Sequence, residues 1–479
     1  MWRRLSVWRV PTPRDAFSSA PGRRPDESGR RRHECPRHMA PAAKCEVISA
    51  WSLTDQMNRV IILTGNHLCY NPRVVKEATT LANAGYQVKV LGAWTNRELK
   101  RRDIEMRGSL PFVFQTVMDT TESGPRRLCA RIGRKMGLAI HGVTGIENEY
   151  QLGYARRALS RVAVGEPADL WIAHSEAAMA VAADLARTGG RAGIDFEDWF
   201  SEDLMPDARK GRPVNLLRSL EGKLLREGVH ATCPSRAMSD ALSNEFGCFP
   251  PAVVYNAFPW ADRRALDGRK LDRQDLTVRS IHWFSQTLGP GRGLEDLLSA
   301  LPLLQHDVEV HLRGNPSNGL ASWLGVRTPK RWLKRIVLHH PVSPAELLSR
   351  IAEHDIGFAG ETTNIRSRDL TVTNKILYYL LAGLAVAASD TAGQRDVALQ
   401  APGAVFLYRC GDASALAAAL DRLLGSSAAL ERAKAAALAA AEQTFCWERQ
   451  ENVLLDSVAR ALSSPERTLM RNRAAAAAR

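Results

Sequence analysis

The run TNKILYYLLAGLAVAASD (Thr373–Asp390) reads as a helix, a stop, a buried strand and an acidic loop. Thr373 and Asn374 are both able to cap the helix, and Ile376, Leu377, Leu380 and Leu381 recur at helical spacing. Gly383 suits a left-handed C-terminal cap. Leu384–Ala388 is apolar without alternation, as a strand covered by helices on both faces must be. Asp390 then leaves the strand at its carboxyl end, the edge where open α/β sheets hold ligands. Lys375, in the first turn of the helix, stands among backbone N–H groups that favour an anion. An ordinary αβ unit with a solvated lysine has the same pattern, so the rest of the chain has to arbitrate.

The same alternation runs through the whole second half. Strands are expected at Ser280–Phe284, Val308–Leu312, Ile336–Leu338, Ile356–Ala359 and Val405–Leu407, with an Ala-rich helix near Ser414–Leu424 and a helical tail over Ala428–Leu462. The first loop of this half, SQTLGPGRGLEDLL, carries Gly289, Gly291, Arg292 and Gly293 just before a helix start. Glycine-rich backbone with an arginine at a helix N-terminus is a phosphate cradle. It is neither a P-loop nor a GxGxxG dinucleotide fingerprint.

The first half repeats the scheme. Asn58–Leu63 reads as strand, Pro72–Ala84 as helix and Tyr86–Leu91 as strand, a βαβ start that predicts a parallel sheet. The loop TGNHLCYNPR (Thr64–Arg73) places Gly65, His67, Asn71 and Arg73 after the first strand. Residues 96–150 read as irregular and basic. Within them 123–140 forms a short basic amphipathic stretch without an acid, suited either to an anionic membrane surface or to water. Helix is expected over Tyr150–Val164. Strands at Asp169–Ala173 and Ala192–Phe196 deliver His174 and the acids Glu197 and Asp198 to one sheet edge. Further elements follow at Leu216–Glu227, Ala231–Cys233, Arg236–Glu245 and Ala252–Tyr255.

Bulk properties bound the function. A chain of 479 residues with 45% hydrophobic and 24% charged residues is long enough for two or three ordinary domains. The net charge of +14 is uneven: residues 1–50 hold 11 Lys/Arg against 5 Asp/Glu, which is +6 of it. The moderately basic remainder suits phosphate-bearing ligands or an anionic membrane and does not call for nucleic acid. The 8 cysteines show no CxxC or metal-ligand spacing, which points to a reducing compartment without structural zinc. No apolar run reaches the roughly 20 residues that span a bilayer. Residues 1–56 lack the apolar core of a secretory signal. A translation start at Met39 or Met57 accounts for them most simply; an organellar transit segment is the other reading, which the acids oppose. The expected division is a disordered extension (1–56), an N-terminal Rossmann-like domain (57–255), a linker (256–273), a C-terminal Rossmann-like domain (274–425), helices packing back (426–465) and a disordered tail (466–479).

Two doubly wound α/β domains, each with a ligand loop after its first strand, resemble the GT-B fold, and specifically the retaining glycosyltransferases of family 4 (group 1). NPRVVKEATTLANAGYQVKVL is similar to that family's NPRV-x-x-EA-x-x-LA-x-x-G-x-x-V stretch, ADLWIAHS to its D-x-hydrophobic-H strand, and IDFEDWFSE to its D-x-H-E strand with Glu197 where histidine is usual. FSQTLGPGRGLEDLL resembles the G-x-x-x-x-x-[RK]-G loop, and NKILYYLLAGLAVAASDTAGQRDV the NK-x-x-EY-x-x-AG-x-P-V-x-x-SD-x-x-G stretch. The match covers roughly residues 57–460, with its motifs in family order. The resemblance implies transfer of a sugar, with retention, from a nucleotide-diphosphate donor to a glycan or lipid-linked acceptor. In that frame Arg292 and Lys375 bracket the donor diphosphate and His174 lies near the transferred sugar. Gly291, Gly293, Asn374, Tyr378, Asp390, Thr391 and Gly393 line the donor side, the last two through backbone amides. Gly65, His67, Asn71, Arg73, Glu197 and Asp198 face the acceptor. No metal or cofactor is expected, and the location implied is cytoplasmic, peripheral on the inner face of a membrane.

The chain departs from the family in one respect that matters. The paired glutamates are missing: Leu370 and Tyr378 stand in their places, while Glu361 and Asp369 lie out of register. Tyr378 either packs on its helix or stacks on the nucleotide. Two other functions share the architecture, a non-hydrolysing nucleotide-sugar epimerase and a non-catalytic sugar-nucleotide binder.

Overall fold

A computed structural model describes residues 57–205, 209–273, 275–291 and 293–464. The expectations for 1–56 and 466–479 lie outside the described residues, as does the one for Arg292. Among the described residues, thirteen strands form two sheets. The first contains β1 (Arg59–Leu63), β2 (Gln87–Trp94), β3 (Val113–Asp119), β4 (Leu170–Ala173), β5 (Ala192–Asp195), β6 (His230–Cys233) and β7 (Ala252–Val253), in the order β3-β2-β1-β4-β5-β6-β7. The second contains β8 (Arg279–Leu288), β9 (Val308–Pro316), β10 (Ile336–His339), β11 (Ile356–Ala359), β12 (Ala385–Ser389) and β13 (Val405–Tyr408), in the order β10-β9-β8-β11-β12-β13. Every pairing is parallel. The protein is therefore two doubly wound α/β domains, as expected.

Strand order positions the site. In each sheet the winding reverses once, between β1 and β4 and between β8 and β11. Helices on the two sides of a reversal cross to opposite faces of the sheet, so the loops leaving those strands part and open a crevice at their carboxyl ends. The loops after β1 and β4 carry Gly65 and His174; those after β8 and β11 carry Gly293 and Glu361.

The helix Asn374–Ala382 shows how the chain builds these units. Thr373 caps it, its hydroxyl accepting from Lys375 N, and Gly383 ends it at φ +78°. A side chain at Gly383 would also meet Leu438 at 2.9 Å. Ile376, Leu377, Leu380 and Leu381 are all buried against β12 and the helix Ser427–Gln443. Each stabilises by about 1.5–3 kcal/mol, and truncation of one leucine to alanine costs about 2–5 kcal/mol.

Three regions differ from the sequence expectations. Residues 96–150 are regular: a helix at Arg97–Met106, the edge strand β3 and a long helix at Pro125–Thr144. Neither element carries a core pattern: β3 buries only Phe114, and the apolar residues of the long helix, which recur at helical spacing as the amphipathic reading of 123–140 has them, stay exposed. The segment 150–164 breaks at Gly153, φ +130°, into a short 3-10 turn (Glu149–Leu152) and a helix (Arg156–Gly165). The C-terminal tail is two helices, Ser427–Gln443 and Trp447–Ser463. Between them Trp447 N donates to Phe258 O, and the second helix crosses to the first domain. There Trp447 Nε1 donates to Thr80 Oγ1 at 3.0 Å, and Leu454, Val458 and Ala461 join the core under β1 and β2.

Candidate functional site

On the first sheet the crevice is walled by charge that sits below the surface. Asn71 ends the β1 loop and caps the helix Pro72–Asn83, its Oδ1 accepting from Val74 N at 3.1 Å. Its amide nitrogen donates to Glu197 Oε1 at 2.6 Å, and His174 Nδ1 meets the same oxygen at 2.8 Å. His174 Nε2 lies 2.5 Å from Glu77. Burial alone would keep this imidazole neutral, but Glu77, Glu197 and Asp195 outweigh it and raise its pKa well above the ordinary histidine value. His174 is thus an imidazolium between two carboxylates. Its side chain is wholly enclosed, so it steadies Glu197 from behind and does not itself line the crevice.

Arg73 is equally internal. Its guanidinium forks onto Asp195 at 2.7–3.0 Å and donates to Val254 O. Thr232 Oγ1 completes Asp195's shell. His67 is also a structural residue: Nδ1 meets Asp103 at 2.9 Å, and Nε2 accepts from Thr95 N and Asn96 N. Gly65, at φ +64°, abuts Leu159 and Ala155, so a side chain there would strike the helix Arg156–Gly165. Of the acceptor-side expectations, Glu197 and Asp198 are the ones whose carboxylates reach solvent in the crevice. Enclosure by the crevice walls comes first, with repulsion from Asp203 and Glu197 behind it, in pushing the Asp198 carboxyl up to about 7, even though water still reaches it. Arg368, of the second domain, acts in the opposite sense and so faces it across the gap.

On the second sheet three separate stretches converge. Gly293, at φ +73°, backs onto the second strand-end loop: a Cβ there would fall 2.7 Å from the carbonyl carbon of Gly360. Glu361 follows Gly360, and its carboxylate holds the buried Lys375 ammonium at 2.9 Å. Glu361 N donates to Ser389 Oγ at the end of β12. The ammonium also lies 5.7 Å from the Trp283 ring. Gly293, Glu361 and Lys375 therefore form one cluster at the winding reversal. Gly291 N is taken by Glu295 Oε1 at 2.7 Å.

The remaining donor-side residues serve the frame. Thr391 is buried and caps the helix Ala392–Gln400. Gly393 packs where a Cβ would lie 2.5 Å from Thr371 O. Asp369 Oδ1 accepts from Ala392 N at 3.2 Å, so a carboxylate of the chain sits at that helix N-terminus. Asp390 is paired with Arg395, and Asn374 with Asn256. Tyr378 packs: its ring stacks on Phe258 at 3.7 Å and meets Phe284 edge-on.

The domains touch beside the crevice. Trp199 N donates to Ser367 Oγ at 2.9 Å, Ser235 Oγ to Leu370 O, and Tyr255 OH to Asp396 Oδ2 at 2.9 Å. Two residues organise the two halves of the site: Glu77, which sequence reasoning passed over, and Glu361, which it placed out of register with the family glutamates and gave no role. A role for Glu361 could have been found, since it stands two residues beyond a buried strand. Glu77 lay within the NPRVVKEA run, but nothing in spacing marks a helix glutamate as buried.

One metal-type trio occurs among the described residues: Glu77, His174 and Asp195 bring ligand atoms within 4.8 Å of one another. Arg73 and Thr232 already hold Asp195, and the raised His174 carries a proton, so a cation would have to displace both. The donor set fits an ion-pair network better than a metal.

No family model matches the chain, and no curated protein matches it. Solved structures do. Anabaena HepE in complex with UDP and glucose is 16% identical, with a TM-score of 0.60 over 84% of this chain and 99% of that one. A UDP-forming α,α-trehalose-phosphate synthase from Burkholderia xenovorans is 13% identical, TM-score 0.60, over 85% and 100%. A putative UDP-N-acetylglucosamine 2-epimerase from Listeria monocytogenes is 14% identical, TM-score 0.51, over 86% and 98%. At these identities the likeness is one of fold, and that fold is GT-B.

Proposed function

We propose that the chain is a glycosyltransferase that takes a hexosyl group from a nucleotide-diphosphate sugar and delivers it, with retention, to a glycan or lipid-linked acceptor in envelope or exopolysaccharide synthesis. One observation carries the reading: the buried Lys375 ammonium, at a helix N-terminus, beside Gly293 at the carboxyl edge of the second sheet. As the bond from sugar C1 to the diphosphate breaks, its oxygen gains charge, and an ammonium beside backbone N–H groups stabilises that charge. Arg292 supplies the second cation in this reading. The acceptor hydroxyl bonds to C1 on the face that the diphosphate leaves, and its proton passes to the departing diphosphate.

In the resting chain Glu361 stands in for that diphosphate. Donor binding exchanges one anion for another at Lys375, which keeps the ammonium paired throughout and avoids a bare buried charge. The freed Glu361 carboxylate then accepts from a hydroxyl of the donor. This gives the chain an acceptor of hydrogen bonds although both family glutamates are absent. The support from other proteins is that HepE is solved with UDP, with UDP and glucose, and with UDP-glucose. Charge neutralisation falls to side chains, so the reaction is metal-independent in this reading. None of the described helices is long and apolar enough to cross a membrane; the reading puts the protein at the inner membrane face as a peripheral enzyme.

Thermal shift against UDP-, GDP- and ADP-sugars tests the donor, since a ligand of the native state raises its stability by mass action. A rise with one nucleotide class that disappears in Lys375→Met supports the reading; no rise with any of them overturns it. The epimerase-like neighbour keeps a second reading open. Conversion of nucleotide sugar without any acceptor would favour it.

A further inference from the structure

The helix Pro125–Thr144 is 20 residues long, yet Leu128, Ile132, Met136, Ile140 and Val143 are 43–87% exposed. Their spacing puts them on one stripe. Arg127, Arg131 and Lys135 flank the stripe and form no ion pair among the described residues. There is no acid in the helix. Its other face approaches the segment 148–150 closely, where a Cβ on Gly133 or Gly137 would meet Tyr150 or Asn148 at 3.0 Å or less.

Between this helix, the end of β3 and the helix Arg156–Gly165 lies a groove of about 710 Å³. Met118 and Val162 contribute apolar lining, and four arginines stand around it, of which Arg156 is taken up by Glu149 and Asp184. Arg134 lies 5.3 Å over the Tyr154 ring and Arg157 4.5 Å over Tyr150, which holds both guanidinium planes in place. Arg161 is exposed and unpaired among the described residues. The two acids of the lining are already neutralised, Asp119 by Lys100 and Glu149 by Arg156. The groove opens at the carboxyl edge of the first sheet, beside the helix on which Gly65 packs.

Resting on the glycosyl-transfer reading, we propose that this groove holds the phosphate-ester head of a membrane-held acceptor lipid, with the stripe of the neighbouring helix lying in the bilayer surface. The combination is specific to such an amphiphile. Unneutralised arginines over an apolar floor suit a phosphate on a long apolar chain, and guanidinium is the side chain that grips phosphate in two-point fashion. An apolar stripe with flanking cations suits the lipid surface from which that molecule must be drawn.

The test is vesicle co-sedimentation of the full chain. Three vesicle types are compared: phosphatidylcholine, the same with phosphatidylglycerol, and the same with a long-chain isoprenyl phosphate at matched surface charge. Binding should follow the order isoprenyl phosphate, phosphatidylglycerol, phosphatidylcholine. Arg134→Gln/Arg157→Gln/Arg161→Gln should lose the preference for isoprenyl phosphate, by about tenfold or more, while still binding phosphatidylglycerol vesicles through the flanking cations. Leu128→Ser/Ile132→Ser/Met136→Ser should lose both. All six side chains lie outside the core, so far-UV spectra should be unchanged. Equal binding to the two anionic vesicles by the unaltered chain overturns the groove assignment. Binding to neither overturns the membrane face as well. UDP binding by the same preparation without lipid reports on the donor reading separately.

Discussion

Acidification from about pH 7 to about pH 5 should unfold the second domain preferentially, because three histidines are buried there beside a half-buried fourth, and burial disfavours the charged form of all four. His282, on β8, is fully buried with neither ring nitrogen hydrogen-bonded. His354 stacks on it at 4.6 Å, and His311 lies 4.6 Å from His354. His311 Nδ1 meets His339 Nε2 at 2.9 Å. Asp272 and Arg313 face the group from the linker and β9, with Arg273 and Glu309 beside them. Burial, reinforced by the neighbouring imidazoles, pushes His311 down to about 2; burial also pushes His354 to about 4 against the pull of Asp272. His282 is lowered well below the usual value by burial and His354, and His339 is lowered by burial against the pull of Asp272.

The sign follows from which state binds the proton. Above the unfolded value of about 6.5 neither state is protonated; below it the unfolded chain takes up protons that the folded chain refuses, so stability falls. For a histidine whose folded pKa lies below 5, the loss between pH 7 and pH 5 is about 2 kcal/mol. His311 and His354 together give about 4 kcal/mol, a large part of the 5–15 kcal/mol that holds most domains together, and His282 acts in the same direction. His174 acts oppositely in the first domain. Its raised pKa stabilises the fold most at low pH, and so opposes the loss over the same interval. Urea unfolding at the two pH values, followed by tryptophan emission, measures the difference. His282→Phe keeps an aromatic ring beside His354, Phe284 and Tyr379 and removes two unpartnered nitrogens. It should be more stable at pH 7 and less sensitive to acid than the unaltered chain. An acid sensitivity identical to that of the unaltered chain would refute the reasoning.

Further outcomes follow from the donor cluster and from the buried trio of the first domain. Lys375→Met should strand the buried Glu361 carboxylate and cost about 3–5 kcal/mol of stability, and Glu361→Gln added to it should recover most of that in the same melting assay. The single variant should also lower the rate of transfer roughly a hundredfold, as loss of one donor to a developing oxyanion does elsewhere; transfer kinetics with the donor found by thermal shift would read it. Gly293→Ala places a Cβ against Gly360 at positive φ, so it should cost more than about 1 kcal/mol in urea unfolding and abolish the nucleotide shift. Transfer should survive an excess of chelator; loss that a divalent ion restores would give the Glu77–His174–Asp195 trio a catalytic cation after all.

What could be read without coordinates, and what could not, separates along a physical line. Burial on both faces of a parallel strand leaves an unbroken apolar run, so β1, β4, β11 and β12 announce themselves, and strand ends then locate the crevice and Lys375 within it. Amphipathic period fails where an element has nothing to pack against. The helix Pro125–Thr144 buries none of its large apolar side chains, so only its basic amphipathic stretch over 123–140 is legible and not its full extent, and the edge strand β3, with Phe114 alone buried, gives no alternation. The same exposure that hid them is what makes the groove beside them a candidate for lipid. Roles of individual polar residues were hidden for a different reason. His67, Arg73 and His174 stand at the expected strand ends, but residue type and position do not say which way a side chain turns, and each turns inward to a carboxylate: Asp103, Asp195 and Glu77. Those partners are remote in sequence, by 36, 122 and 97 residues respectively. A charge that must be buried needs its opposite at contact distance, and only the assembled fold decides that the opposite is another part of the same chain; for Lys375, whose partner Glu361 is only 14 residues away, the exchange of that partner for a diphosphate remains open to the ligand.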